Sequence, residues 1–259
     1  MVEGELAGAG KTSGIKTKTN GNKRKNRRSL RKDRINSCST KLKLVGVNCA
    51  GLTSKLESLN YLLGSVRPSI FFLQETKRKK QGGWKIQNGR NYQIFELLRK
   101  EKVGGGLAIG VVPELNPVWI SEGNDEVEVL VVQVEIQQLK LRCLTAYGPQ
   151  ENHLMERKVN FWARMAQEVQ NALEFDTALL IQMDGNLWAG EELVKGDPNK
   201  PNCNGKLFME FLKQFPHLTV VNSLPVCEGV VTRRRKHKNK VEEAVLHFYI
   251  VCDKLKKWL

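Results

Sequence analysis

From residue 42 onward the chain alternates short apolar runs with longer amphipathic stretches. Leu42, Leu44, Val45 and Val47 predict a first strand. Leu56, Leu59, Leu62 and Leu63 recur at helical spacing and predict a helix over 55–64. SIFFL at 69–73 reads as a short buried strand. Segments 92–98, 106–112, 127–136 and 141–147 are rich in β-branched residues and bounded by Gly, Pro or Asn, which predicts four more strands. A helix follows at 154–173, with Trp162, Met165, Ala166, Val169, Ala172 and Leu173 as its apolar face. Beyond it the pattern predicts a strand at 178–183, a helix at 206–214, a strand at 218–222, and strands near 229–232 and 244–251.

Runs of consecutive strands argue against a purely parallel, doubly wound sheet. An α/β architecture of two mixed sheets packed face to face, with helices outside, fits the order better. There is no internal repeat, and a single domain over 41–259 is the simplest partition. A domain of that size buries roughly 70% of its unfolded surface and needs no disulfide or zinc staple.

Residues 1–40 differ. Eleven Lys or Arg stand there against three acids, supplying +8 of the chain's net +15, and large apolar residues are nearly absent. Such a segment cannot bury enough to offset its ordering entropy, so it reads as a disordered basic arm. The overall excess, 42 Lys and Arg against 27 Asp and Glu, points to an anionic partner, nucleic acid before membrane. No apolar run approaches the roughly 18 residues of a membrane span, and the first residues lack the pattern of a secretory signal. Six scattered cysteines without a C-x-x-C pair fit buried thiols in a reducing compartment, nucleus or cytoplasm. Nothing indicates oligomerisation. Gly8-Ala9-Gly10-Lys11-Thr12 ends like a phosphate-binding loop but has Glu5 where the first Gly belongs and no strand before it.

The chemistry lies at strand ends. Asn48-Cys49-Ala50-Gly51-Leu52, Leu73-Gln74-Glu75-Thr76, Ala146-Tyr147-Gly148-Pro149 and Met183-Asp184-Gly185-Asn186 each follow a predicted strand. Polar groups at the carboxyl ends of several strands converge at one sheet edge, where ligands usually bind. N-x-x-G-L, L-Q-E-T, Y-G-P and D-x-N in this order, with GGGLAIG at 104–110, resemble the endonuclease/exonuclease/phosphatase superfamily. The nearest resemblance is to the apurinic/apyrimidinic-type endonuclease domain of non-LTR retrotransposons, and it runs over about 42–253.

That resemblance implies a four-layer α/β sandwich that hydrolyses phosphodiesters with Mg²⁺ or Mn²⁺. It implies Glu75 as the metal carboxylate, with Asn48 assisting at the metal or phosphate. Asp184 would orient and deprotonate the attacking water, Asn186 would hold the phosphate, and Tyr147 would donate to the phosphate or the leaving oxygen. It also exposes departures. The family's Ser-x-(Ile/Leu)-Asp segment is here Ala244-Val245-Leu246-His247, and its final Ser-Asp-His motif is not found before Leu259. Ala50 stands where some relatives carry a second metal carboxylate. The expectation is a domain that is C-terminally truncated, lacking its final strand and motif, with His247 a degenerate site position and activity weak or absent. DNA is the expected partner, RNA the alternative. The loops bearing Lys77, Arg78 and Lys79, and Arg233, Arg234, Arg235 and Lys236, are expected to contact phosphates. A phosphatase or RNA phosphodiesterase of the same superfamily, and a catalytically dead nucleic-acid-binding remnant, are the competing readings.

Overall fold

The computed structural model describes residues 42–87, 89–99, 104–228, 230–237 and 240–256, without the side chains of 235–237 and 240. The basic arm and the Gly8–Thr12 segment lie outside them. The order is β1 (Leu44–Asn48), α1 (Leu52–Val66), β2 (Ile70–Gln74), β3 (Gln93–Leu97), β4 (Leu107–Val111), β5 (Val118–Glu122), β6 (Glu128–Ile136) and β7 (Leu139–Tyr147). Then follow α2 (Met155–Glu174), β8 (Ala178–Asp184), α3 (Cys203–Gln214), β9 (Leu218–Val220), β10 (Arg233–His237), β11 (Lys240–Ala244), β12 (His247–Cys252) and α4 (Asp253–Lys256).

Two mixed sheets form, ordered β1-β2-β4-β3 and β5-β6-β7-β8-β12-β9, with β10-β11 as a separate hairpin. Only β1/β2 and β7/β8 pair in parallel, each across one helical crossover, α1 and α2. The two large sheets face each other, β2 and β4 against β6 and β7. Ile70, Phe72 and Ile109 meet Leu130, Val132, Leu144 and Ile181 in the core between them. The outer face of β2 turns Phe71 and Leu73 toward Leu59 and Leu63 of α1. Both faces of β2 are therefore buried, which is why SIFFL carries no alternation. Gly110 sits opposite Phe71 in the β2/β4 ladder, and a Cβ there would lie 2.0 Å from the Phe71 ring. On the far side, Trp162 of α2 stacks on Phe208 of α3 with ring centroids 5.3 Å apart.

Four expectations need correction. Residues 244–251 are not one strand. The Thr232 hydroxyl accepts from the N–H of both Leu246 and His247, breaking the ladder between β11 and β12. The strand expected near 229–232 instead starts at Arg233, where the Arg234–Glu243 ion pair spans the hairpin at 2.6 Å. The edge strand β5 was absent from the expected elements. Pro117 precedes it, a bulge interrupts it at Trp119/Ser121, and three of its five residues are exposed, so no clean alternation marks it. Leu173 is 55% exposed rather than buried, while Val169 and Ala172 of the same helix are buried, so the buried face ends at Ala172. No helix among the described residues is long and apolar enough to cross a membrane.

Candidate active site

β1 ends at Asn48, β2 at Gln74, β7 at Tyr147 and β8 at Asp184. Asn48 lies opposite Gln74 in one sheet and Tyr147 opposite Asp184 in the other. Stacking the sheets brings all four ends to one edge. The Asn48 amide donates to Glu75 Oε1 at 2.9 Å and to Asp184 Oδ2 at 2.7 Å, bridging the two sheets. The Tyr147 hydroxyl donates to Glu75 Oε1 at 2.9 Å. The Asn186 N–H donates to Asp184 Oδ1 at 3.1 Å, and its side-chain amide to Gly148 O at 2.8 Å. The five residues expected at the site thus form one connected cluster.

The loops that carry them are tightly braced. Gly51 N–H donates to Glu75 O at 2.8 Å and Leu52 N–H to Thr76 O at 3.0 Å, so the turn after β1 zips onto the turn after β2. Thr76 and Lys77 N–H donate in turn to Gly106 O and Gly105 O. Ala50 (φ 49°), Glu75 (φ 50°), Lys77 (φ 52°) and Asn186 (φ 45°) all hold the left-handed conformation. Each costs about 1–3 kcal/mol and persists only where surroundings over-determine the backbone, a pattern concentrated at functional sites. Gly148 is required by contact, because a Cβ there would lie 2.2 Å from Gly185 O.

Beneath these turns, Asn204 of α3 is completely buried. Its amide donates to Pro149 O at 3.0 Å and to Gly185 O at 2.9 Å, and its oxygen accepts from Trp162 Nε1 at 2.8 Å. It clamps the Tyr147 and Asp184 turns to the helical layer. Nothing in the sequence marked it. An Asn two positions after the helix-capping Asn202 reads as part of the cap.

Asp184 is 2% exposed, while the Glu75 side chain keeps 21% of its surface open. Burial raises the Glu75 pKa, but hydrogen bonds from Asn48, Tyr147 and Lys77, with the Lys77 charge, outweigh it and hold the carboxyl below the usual glutamate range. Burial pushes the Tyr147 phenol up to about 12, aided by the Glu75 and Asp184 charges and opposed by hydrogen bonds from Asn186 and Gln150. The neighbouring Cys49 thiol is likewise pushed up to about 12 by burial and by Glu75. It is a packed, protonated thiol rather than a nucleophile.

Glu75 and the Asn48 amide suit a hard divalent cation, which commonly takes one or two carboxylates and keeps its remaining positions for water and phosphate. Among the described residues no group of three or more His, Cys, Asp or Glu could hold a metal. The donor set therefore fits Mg²⁺ or Mn²⁺ shared with a substrate, not a closed protein cage.

A cleft of about 450 Å³ opens from Glu75 and Tyr147 and is rimmed by Lys77, Arg99, His153 and Arg157. Arg99 follows the end of β3, and His153 and Arg157 flank the start of α2, so no single charged run announced them. Lys77 Nζ lies 3.1 Å from Glu75 Oε2. Lys79 is exposed. Arg78 is not a free cation. Its Nε donates to Glu96 at 2.9 Å, its fork holds Lys80 O and Gly82 O, and its plane covers Trp84, which fixes the loop instead of reaching outward. Arg233–His237 is a strand of the β10–β11 hairpin, not a loop. Arg233 is exposed and Arg234 pairs with Glu243, while the side chains of Arg235 and Lys236 lie outside the description. His247 faces Asp184, Nε2 to Oδ2 3.4 Å.

No protein-family model matches the chain, and no curated protein matches it significantly. Solved structures do. The endonuclease domain of TRAS1, a telomere-specific non-LTR retrotransposon, superposes with a TM-score of 0.59 at 12% identity, covering 83% of this chain and 87% of that one. An AP endonuclease from Archaeoglobus fulgidus gives 0.62 at 16% identity, covering 83% and 88%. D. rerio TDP2, complexed with single-strand DNA product, gives 0.57 at 15% identity, covering 83% and 84%. The chain shares the fold of these solved structures.

Proposed function

We propose that this chain is a divalent-metal-dependent phosphodiesterase, a DNA-nicking endonuclease domain of the non-LTR retrotransposon kind. The observation that carries this reading is the bridge from Asn48 to both Glu75 and Asp184, with Tyr147 on the same Glu75 oxygen. Two carboxylates from opposing sheets are held within one amide's reach at the mouth of a cleft whose rim cations Lys77, Arg99 and Arg157 are paired with Glu75, Glu128 and Glu126. Similarity to a retrotransposon endonuclease domain and to DNA-processing enzymes supports the substrate class.

A metal held by Glu75 with Asn48 would supply charge neutralisation on the phosphate oxygens. Asp184 acts as the base. Its Oδ2 is engaged by Asn48, and its Oδ1 accepts only a main-chain N–H, so Oδ1 is the oxygen with room to orient a water and take its proton. Asn186 and Tyr147 donate to the phosphate. The Tyr147 phenol, pushed up to about 12, stays protonated at neutral pH and serves as a hydrogen-bond donor. The cleft rim and Lys79 would carry the backbone contacts, favouring polymeric nucleic acid over a small phosphoester.

The test is nicking of supercoiled plasmid by the purified chain in Mg²⁺, beside an RNA duplex and a small phosphomonoester. Plasmid nicking lost with EDTA and in Asp184→Ala is expected. Nicking that survives either control refutes the assignment, and preferential turnover of the RNA or the monoester moves it within the superfamily. A second reading has one observation in its favour. The Lys77 ammonium already sits against Glu75 Oε2, an oxygen a cation would otherwise use. A folded protein that binds DNA without cutting it would be the binding remnant this contact describes.

A further inference from the structure

β12 runs antiparallel to β8 and places His247 opposite Asp184. Cross-strand partners project to the same face, so the imidazole and the carboxylate meet without any loop between them. His247 Nε2 lies 3.4 Å from Asp184 Oδ2, an ion-pair separation but not a hydrogen bond, and that nitrogen is buried with no hydrogen-bond partner among the described residues. A buried nitrogen left unpaired costs about 1–3 kcal/mol, so a small closing rotation onto Oδ2 is favoured. The His247 backbone is pinned on both sides. Its N–H donates to the Thr232 hydroxyl at 3.1 Å, and its carbonyl accepts from Asn222 at 3.0 Å. Asp184 is the acid facing the imidazole from β8, and Thr232 and Asn222 are neutral.

We propose that His247 is a positioning residue for Asp184: its Nε2–H and the Asn48 amide together hold Oδ2, which turns Oδ1 toward the attacking water. This rests on the endonuclease reading and adds a role that the base needs. A carboxylate's two oxygens exchange by rotation about its last bond. Two donors on one oxygen block that rotation.

The test compares His247→Gln, whose amide keeps an uncharged N–H near the Nε2 position, with His247→Leu, which keeps bulk and loses the donor. Single-turnover nicking under saturating protein is expected to fall about 10- to 100-fold in His247→Leu, the usual range for groups that orient a catalytic residue. DNA affinity should be unchanged, and His247→Gln should recover most of the rate. In parallel, NMR follows the Nε2–H of His247, one of four histidines in the chain, whose signal is expected to be protected from solvent exchange in the parent and lost in Asp184→Ala. His247→Leu nicking at the wild-type rate, equal losses in Leu and Gln, or an Nε2–H signal unchanged in Asp184→Ala each overturn the proposal. A folded wild-type chain that never nicks fails the endonuclease reading instead, and removes the catalytic role with it.

Discussion

Asn204→Ala should be among the most damaging single substitutions in the protein. It deletes three hydrogen bonds at a completely buried position. Trp162 Nε1, Pro149 O and Gly185 O are then stranded. An unsatisfied buried group costs about 1–3 kcal/mol, less where water enters the small void left behind, so the sum is about 3–5 kcal/mol. That is a large share of the 5–15 kcal/mol typical of a domain. With a urea m-value near 3 kcal/mol/M, the unfolding midpoint falls by about 1–1.7 M. Asn204→Asp should be nearly as harmful, because it keeps an acceptor for Trp162 but points a charged oxygen at two carbonyls. Nicking should fall with stability, since the two carbonyls belong to the turns that follow Tyr147 and Asp184. Equilibrium urea denaturation read by tryptophan fluorescence checks the first claim. A loss below about 1 kcal/mol would show that Asn204 fills space and does not clamp the turns.

Other outcomes follow from single contacts. The Glu75 pKa is depressed in the folded state, so its contacts stabilise the fold above the ordinary glutamate range, near pH 4.3, and that contribution fades as pH falls through the folded value. Glu75→Gln should therefore be less stable than the parent at pH 7, with the difference closing in acid, as thermal melts across pH will show. Gly110→Ala should cost about 1–3 kcal/mol through the Phe71 ring, and Phe71→Leu in the same chain should recover part of it, whereas strictly additive losses would contradict the contact. Tyr147→Phe should leave the alkaline limb of the nicking profile unchanged up to about pH 10, because a phenol pushed up to about 12 does not titrate there. Lys79→Ala and Arg233→Ala should each reduce the slope of log affinity against log salt by about one, measured by anisotropy on DNA of two unrelated sequences, with equal weakening on both.

How much of this was legible beforehand depended on where the information lies. The strands of the sandwich core include short unbroken apolar runs, and burial on both faces made β2, β4 and β8 plain in the sequence. The site was legible because its polar residues sit at strand ends, where topology gathers them without further instruction. Asn204 was not, because its partners are carbonyls, which any sequence supplies everywhere. The binding of Arg78 to Glu96, 18 residues away, was invisible for a related reason, since a run of four cations looks solvated until the fold supplies an acid. β5 was missed and β10 misplaced because an edge strand and a charged hairpin owe their pairing to neighbours, not to their own periodicity. The opposition of His247 to Asp184 needed the β8/β12 register, which pairs residues 63 positions apart.

β12 lies between β8 and β9, although both precede it in the chain. During synthesis β8 therefore keeps an open edge, and β9 has no ladder partner, until β12 emerges. An open edge is a template for another chain, so the nascent sheet is exposed to misassociation until β12 is made. The same strand delivers His247 to Asp184. Pairing of the open β8 edge and of β9 with β12, and completion of the surroundings of Asp184, thus arrive together, and a chain made only as far as β11 has neither.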